Sequence, residues 1–141
     1  MNKILTQAEA DALLNLIKTV FRKDTFFWKS DERYDERVIA DTDSSLEFVL
    51  SLKRNCFEVR LNFRTKKNNV ILARVDSQNQ HHNPDGSIIR GPHLHLYKEG
   101  FGEKYAEPIS WYDHQSPINT LANFLSVINT HFPNGFSEDL L

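Results

Sequence analysis

Histidine and glycine are concentrated in one short stretch of this 141-residue chain, HHNPDGSIIRGPHLHLYKEGFG, residues 81–102. The stretch holds four of the six histidines and four of the five glycines. Imidazole exchanges protons near neutral pH and also binds metal ions, while glycine permits tight backbone turns. The composition of this segment therefore predicts that the functional site lies here.

The run HLHLY, which begins at His93, alternates polar and apolar side chains. This period of two is typical of a strand with one buried face. Leu94 and Leu96 are expected to face the core. The other three side chains, His93, His95 and Tyr97, would then share the open face. One histidine could act as a base and the other as an acid, and such a pair beside fixed positive charge is what phosphodiester chemistry needs.

Positive charge is concentrated in residues 51–74, which carry seven basic residues and one acidic residue although the whole chain has a formal net charge of −2. That net charge argues against a protein that binds nucleic acid with its whole surface. Alternation places Arg60 and Arg64 on the open sheet face, and Arg74 lies in the predicted third strand. We expect these three arginines to hold a phosphate group. Outward charges are also ordinary on any half-exposed sheet. His82 is a second candidate for the proton donor.

Tyr97 would stack on a base or bind a phosphate oxygen in this mechanism. No metal or other cofactor is expected for it. A metal site is the alternative use of the same strand, because His-x-His places two imidazoles on one side. Zinc or manganese would then serve a metal-dependent hydrolase. The ligands would be His93, His95, His82 and Glu99, with His81 and Asp85 as further candidates for the third position.

The sheet that positions these residues is predicted from alternating apolar side chains. Three consecutive strands are expected at residues 46–52, 57–63 and 70–76, and their short connections imply antiparallel pairing. HLHLY would be a fourth strand and AEPISWY, residues 106–112, a further one. A polar loop, residues 76–92, would separate the third and fourth strands, with Asn-Pro-Asp-Gly as its turn.

Two helices are predicted beside this sheet. Thr6 and Glu9 form a Thr-x-x-Glu capping box in front of a helical apolar stripe, which predicts a helix over residues 6–22. Ser-Pro at residues 116–117 predicts the start of a second helix that ends near residue 131. The whole is expected to be a single α+β domain, residues 1–141, with an antiparallel sheet of about four to six strands. Both helices would pack on one face of that sheet.

The compartment is predicted from what the sequence lacks. Its one cysteine, Cys56, permits no internal disulfide, and no apolar run approaches the ~20 residues of a membrane span. The first residues do not follow a signal-peptide pattern. We therefore expect a cytoplasmic protein that does not bind a membrane.

The combination of Asn83-Pro84-Asp85-Gly86, the strand motif His-x-His-x-Tyr-x-Glu-Gly that ends at Gly100, and Ala106 resembles the hallmark of a poorly characterised family of small bacterial and phage-borne proteins. LTQAEADALL, near the start of the chain, extends this resemblance over most of the sequence. The histidine-rich strand is also similar to ribonuclease-like toxins of bacterial toxin–antitoxin systems. That likeness implies metal-independent cleavage of RNA, with a cognate antitoxin as partner. One of His93 and His95 would then take the proton of a ribose 2′-hydroxyl, and the other would protonate the leaving oxygen.

Three functions are therefore expected, in decreasing order. The first is a toxin-like, metal-independent endoribonuclease from a mobile or defence-associated locus. The second is a non-enzymatic phage or mobile-element protein that binds and inhibits a host defence protein, for which FFWKSDERYDER, residues 26–37, offers a candidate surface. The third is the metal-dependent hydrolase. Whether the chain is an enzyme is left open at this point.

Overall fold

A computed structural model describes residues 4–139, which form two helices and twelve strands. The α+β class is confirmed. The helices are α1 (Gln7–Asn15) and α2 (Pro117–Val127). The strands, in chain order, are β1 (Lys18–Val20), β2 (Phe26–Lys29), β3 (Arg33–Ala40), β4 (Asp43–Arg54), β5 (Val59–Thr65), β6 (Ile71–Asp76), β7 (Gln80–His82), β8 (Ile88–Arg90), β9 (His93–Leu96), β10 (Ala106–Pro108), β11 (Thr130–His131) and β12 (Phe136–Asp139).

The main sheet of the described chain has eight strands in the order β10-β9-β6-β5-β4-β3-β1-β11. All neighbours are antiparallel except β1 and β11, which are parallel. Two further pairs, β2–β12 and β7–β8, form separate two-stranded ribbons. The sheet is larger than the predicted four to six strands, because the short strands at its edges are too brief to show a period of two.

The core lies on one face of the central strands. Leu50 of β4, together with Leu61 and Phe63 of β5, is buried against Phe124 of α2 in a single apolar cluster. The predicted second strand, residues 57–63, starts too early: Phe57 is 82% exposed, and β5 begins at Val59. The cause is local. The β4–β5 turn extends to residue 58, and the Asn55 side chain accepts hydrogen bonds from the Phe57 and Glu58 N–H groups.

Helix α1 begins as predicted and ends earlier. The capping box is confirmed: Thr6 Oγ1 accepts from the Glu9 N–H at 3.1 Å, and Glu9 Oε1 accepts from the Thr6 N–H at 3.0 Å. The predicted helix over 16–22 is wrong, because β1 starts at Lys18. The Lys18 ammonium group is buried and donates to the carbonyls of Leu14, Leu16 and Ile128, at 3.0, 2.7 and 2.7 Å. It therefore ties the C-terminal ends of both helices together.

Helix α2 has Ser116 as its N-cap and Pro117 in its first turn, as predicted, although the Ser116 side chain makes no capping hydrogen bond. The helix ends at Val127, not near residue 131. Asn129 has a φ of 50°, a left-handed conformation that interrupts a helix, and β11 follows at once. Among residues 4–139 there is no helix with the length and apolar character needed to cross a membrane.

Candidate metal centre

A small hairpin, β7–β8, covers one end of the main sheet. It lies within the stretch predicted to be a polar loop, and its strands have three residues each. The predicted turn is confirmed: the Gly86 N–H donates to the Asn83 carbonyl at 2.9 Å, and Gly86 has a φ of 89° that favours glycine. The hairpin was missed because three residues are too few to reveal a strand pattern.

Asn83 fastens this hairpin to the edge strand β10. Its Nδ2 donates to the Ala106 carbonyl at 3.0 Å, and its Oδ1 accepts from the Ala106 N–H at 2.9 Å. The Asn83 side chain is buried. Asn83 and Ala106, both part of the motif noted in the sequence, are therefore direct partners across 23 residues.

The hairpin brings His81 onto the two histidines of β9. The ring centroid of His81 lies 5.2 Å from that of His93 and 4.7 Å from that of His95, and the latter two are 4.9 Å apart. His93 and His95 lie on the sheet face opposite the core, as predicted. The expectation that this face is open is wrong for them, because they are 0% and 1% exposed beneath the hairpin. The structure therefore assembles three histidines into one cluster.

Hydrogen bonds fix the tautomer of each ring. Nδ1 of His93 is 2.8 Å from the Gly91 carbonyl oxygen, and Nδ1 of His95 is 2.7 Å from the Glu103 carbonyl oxygen. A carbonyl only accepts, so both Nδ1 atoms donate and each Nε2 carries a lone pair. Both Nε2 atoms are buried without a hydrogen-bond partner. Orientation of a histidine by a backbone carbonyl is the arrangement that metal ligands commonly show.

The spacing of the three rings suits one metal ion. His81 donates from Nε2 to the Lys104 carbonyl at 2.8 Å, which leaves Nδ1 as its ligand atom. One ligand nitrogen from each of the three histidines lies within 4.8 Å of the other two. The centre of a triangle with 4.8 Å sides is about 2.8 Å from each corner, and a zinc–nitrogen bond is about 2.0–2.1 Å. Each ring would therefore close by less than about 1 Å on binding.

The electrostatics favour a neutral ring at His95. Burial, and next the positive charge of Arg74, lower the pKa of His95 to about 4. At neutral pH His95 is therefore uncharged, as a metal ligand must be. The same shift opposes the role of a proton-donating acid, which would need a protonated ring.

A cavity of about 460 Å³ adjoins the cluster and is lined in part by Arg74, His81, His95 and Glu103. Arg74 Nε and Glu103 Oε2 are buried there, 3.8 Å apart, and neither has a hydrogen-bond partner. With Nε2 of His93 and His95 they make four of the five such atoms in residues 4–139. Buried polar atoms in proteins are normally paired, so their concentration here points to a ligand.

Glu103 and His81 are the site residues that sequence reasoning missed or ranked too low. Glu103 lies in a loop without periodicity, and it orients His95 through its backbone carbonyl, which any residue could supply. His81 was only an additional candidate behind its neighbour His82. In the structure His82 points outward, is exposed at the cavity rim, and contacts Gln80 at 2.8 Å.

Two other predicted site residues lie elsewhere. The expectation that Tyr97 shares the face of the histidines is wrong: its hydroxyl donates to the Leu5 carbonyl at 2.7 Å and accepts from the Leu5 N–H at 3.1 Å. Glu99 accepts from the Gln7 N–H at 2.7 Å. Both side chains hold the N-terminal segment because the chain has left β9 before them, and neither belongs to the histidine cluster.

The three predicted arginines are divided between two cavities. Arg74 lines the cavity beside the histidines and also a second one of about 490 Å³ on the open sheet face. Arg60 and Arg64 line the second cavity and not the one beside the histidines. Asp85, a candidate third ligand, is instead held in its turn by the Ser87 N–H and hydroxyl.

Comparison with known proteins identifies a family without naming an activity. The sequence profile of DUF6978, a family of unknown function, matches residues 5–130. No curated protein and no solved structure matches the chain.

Proposed function

We propose that this chain, which belongs to the DUF6978 family of unknown function, is a metal-dependent hydrolase whose ion is held by His81, His93 and His95. The observation that carries the proposal is the pair of buried Nε2 atoms in His93 and His95, which have no partner although their Nδ1 atoms are fixed by carbonyls. A metal ion is the ligand that three neutral imidazoles in one cluster would bind.

Three protein ligands are typical of a catalytic zinc site, in which a water or the substrate takes the fourth position. The adjoining cavity, with Arg74 and Glu103 in its lining, gives that position access to a substrate. Zinc is the first candidate, because imidazole suits it and three-histidine zinc sites are well established. Manganese is a weaker candidate, since it prefers oxygen ligands.

The chemistry that such a site supports is ester hydrolysis. A bound metal lowers the pKa of its water to about 7, so that hydroxide forms at neutral pH. Such an ion would supply this hydroxide for attack on the carbon or phosphorus of an ester. The bond to the ester oxygen would break, and that oxygen would leave as the alcohol with the proton of the hydroxide. The guanidinium of Arg74 would stabilise negative charge on the other oxygens.

A metal-independent, toxin-like endoribonuclease is the second candidate, because Arg74 lies beside His95 in the same cavity. RNA and an antitoxin would be its partners. Both mechanisms need His93 and His95. Only the metal mechanism needs His81, and only that mechanism is stopped by a chelator, so the two are separable.

A protein that inhibits a host target by binding is the remaining candidate. Of the aromatic residues in its proposed surface, Phe26 and Trp28 are buried and Phe27 is 56% exposed. Such a protein would need none of the three histidines.

The first experiment measures metal content after the protein is stripped with a chelator and reloaded with Zn(II), Mn(II) or Co(II). We expect about one zinc or cobalt ion per chain in the wild type and none in His81→Ala. His82→Ala is the matched control, since the adjacent histidine faces the other way, and it should keep the ion. A wild-type chain that takes up no metal contradicts the proposal.

The second experiment measures hydrolysis of carboxylic and phosphoric ester substrates, including labelled RNA, with and without EDTA. Activity that EDTA removes and zinc restores supports the metal mechanism. RNA cleavage that persists in EDTA and is lost in His95→Ala identifies the metal-independent ribonuclease instead. Stable capture of a host protein by a triple variant lacking all three histidines would favour the binding protein.

A further inference from the structure

We infer that the substrate of this centre is the phosphodiester backbone of a single-stranded nucleic acid, bound in the groove beside the metal centre. Cleavage of that strand rests on the proposed function, whereas its binding does not. The cationic groove is the cavity of about 490 Å³ on the open sheet face, and its basic lining residues are Arg33, Lys53, Arg60, Arg64 and Arg74.

The composition of the cationic groove indicates what it would recognise. Its lining has five basic side chains and only two acidic ones, Glu58 and Asp76, within a chain whose net charge is negative. The remaining polar groups are the uncharged side chains of Ser51, Asn62, Ser77 and Gln78. No aromatic residue lines it, so bases would find no stacking partner. Recognition would therefore be of phosphates and largely independent of base sequence.

Strand register aligns three of the cations. Arg33 of β3 lies opposite Lys53 of β4, and Lys53 lies opposite Arg60 of β5. Like charges directly opposite one another destabilise a sheet. Arg33 is offset by Asp35 of its own strand at 3.3 Å, and Arg60 is offset by Glu58, in the turn just before β5, at 3.0 Å. Lys53, between them, has no ion pair within residues 4–139. An anionic ligand would reduce the repulsion between these aligned positive charges.

A second row of cross-strand partners leads from the groove to the histidines. Ser51 lies opposite Asn62, Asn62 opposite Arg74, and Arg74 opposite His95. This row is two residues along the strands from Lys53 and Arg60, which is a distance of ~7 Å. Arg74 lines both cavities, so a phosphate that it holds would lie between the cationic groove and the metal centre.

The shape of this region favours a single strand over a duplex. The groove spans four strands, β3 to β6, or ~14 Å across three strand spacings. The ligand nitrogens of His93 and His95 are buried beneath the hairpin. A stiff duplex, with a persistence length of ~50 nm, could not bend a phosphate into that position, whereas a flexible strand could.

Binding is tested by fluorescence anisotropy with labelled single-stranded RNA and DNA of mixed sequence, in EDTA so that no strand is cut. The groove variant is Arg33→Gln/Lys53→Gln/Arg60→Gln, at three exposed positions. The matched control is Lys23→Gln/Lys29→Gln/Lys67→Gln, which removes the same charge at exposed positions that do not line the groove. Metal content is measured on each protein before EDTA is added.

We expect the groove variant to bind single strands at least tenfold more weakly than the control. The slope of log affinity against log salt should fall by ~2, at ~0.7 per lost phosphate contact. RNA and DNA should bind similarly, and a duplex of the same sequence more weakly.

Equal binding by the groove variant and the control, or by single strand and duplex, would overturn the inference. Wild-type protein that holds a metal ion but binds no oligonucleotide also overturns it, and leaves the hydrolase standing. Oligonucleotide binding without metal uptake would instead contradict the proposed metal-dependent hydrolase and support single-strand binding in the cationic groove.

Discussion

Lys18 and the histidines of β9 are buried polar groups at opposite ends of the sheet, and their nitrogens differ in hydrogen bonding. The Lys18 ammonium group donates to three carbonyls, whereas Nε2 of His93 and Nε2 of His95 have no partner. Both sites are equally inaccessible to solvent. Burial alone therefore does not separate a structural group from a functional one. The number of satisfied hydrogen bonds does, and it marks the histidines as the incomplete site.

The largest expected effect is stabilisation by zinc. At ~1,000 times its dissociation constant, Zn(II) should raise the free energy of unfolding of metal-stripped protein by ~4 kcal/mol, because the ion binds only the folded chain. Urea unfolding, monitored by circular dichroism, measures this change in the free energy of unfolding. The rise should be absent in His81→Ala and intact in Lys18→Met. A rise of similar size in all three proteins would show that zinc does not bind at the histidines, and the difference drawn between Lys18 and the histidines would be wrong.

The next effect concerns Lys18 itself. Lys18→Met keeps the apolar stem and removes the donor to three buried carbonyls, so we expect a loss of ~3 kcal/mol in the free energy of unfolding. Lys67→Met, at an exposed position, should change it by less than ~0.5 kcal/mol. Urea unfolding at pH 7 compares both with the wild type. If Lys18→Met has the same free energy of unfolding as the wild type, water donates to the three carbonyls in place of the ammonium group.

A pH series sharpens the same comparison. Burial lowers the pKa of Lys18 from 10.5 to about 8. Between these values the unfolded chain holds more of this proton than the folded chain does, so stability rises with pH across that window. The free energy of unfolding of the wild type minus that of Lys18→Met should therefore grow by ~2 kcal/mol between pH 8 and pH 10. A difference that shrinks over this window would show that the three carbonyls keep the ammonium group charged.

The smallest predicted effect tests how the hairpin positions His81. Asn83→Ala removes both hydrogen bonds to Ala106, so His81 should lose its fixed place over His93 and His95. Zinc affinity, measured by competition with a chelating indicator, should fall ~10-fold, as for outer-shell partners of metal ligands. Asn119→Ala, on the exposed side of α2, should leave the affinity unchanged. Equal affinities would mean that the hairpin stays in place without this anchor.

Local patterns predicted the elements in which neighbouring residues determine the structure. The capping box of Thr6 and Glu9 places the start of α1. The short connections between β4, β5 and β6 give the antiparallel order, and alternation in β5 gives the open face of Arg60 and Arg64. The end of α1 was not predictable in this way. It depends on Lys18 reaching the Ile128 carbonyl, 110 residues later in the chain.

The same distinction between local and distant determinants applies to the candidate site. Alternation correctly assigned His93 and His95 to one face, but a period of two cannot say what covers that face. The choice between His81 and His82 depends on which side of β7 faces the sheet, and the strand has polar residues on both sides. The Asn83 side chain fixes the orientation of β7 by its two hydrogen bonds to Ala106. Those bonds use only the backbone of Ala106, so its residue type gives no sign of them in the sequence.

The attachment of α1 also sets an order of events during translation. Gln7 exchanges two hydrogen bonds with Glu99, and Leu5 bonds to Tyr97, each across 92 residues. A nine-residue helix is too short to persist alone in water. During synthesis α1 therefore emerges from the ribosome before residues 97–99, and it cannot make these hydrogen bonds until those residues have emerged as well.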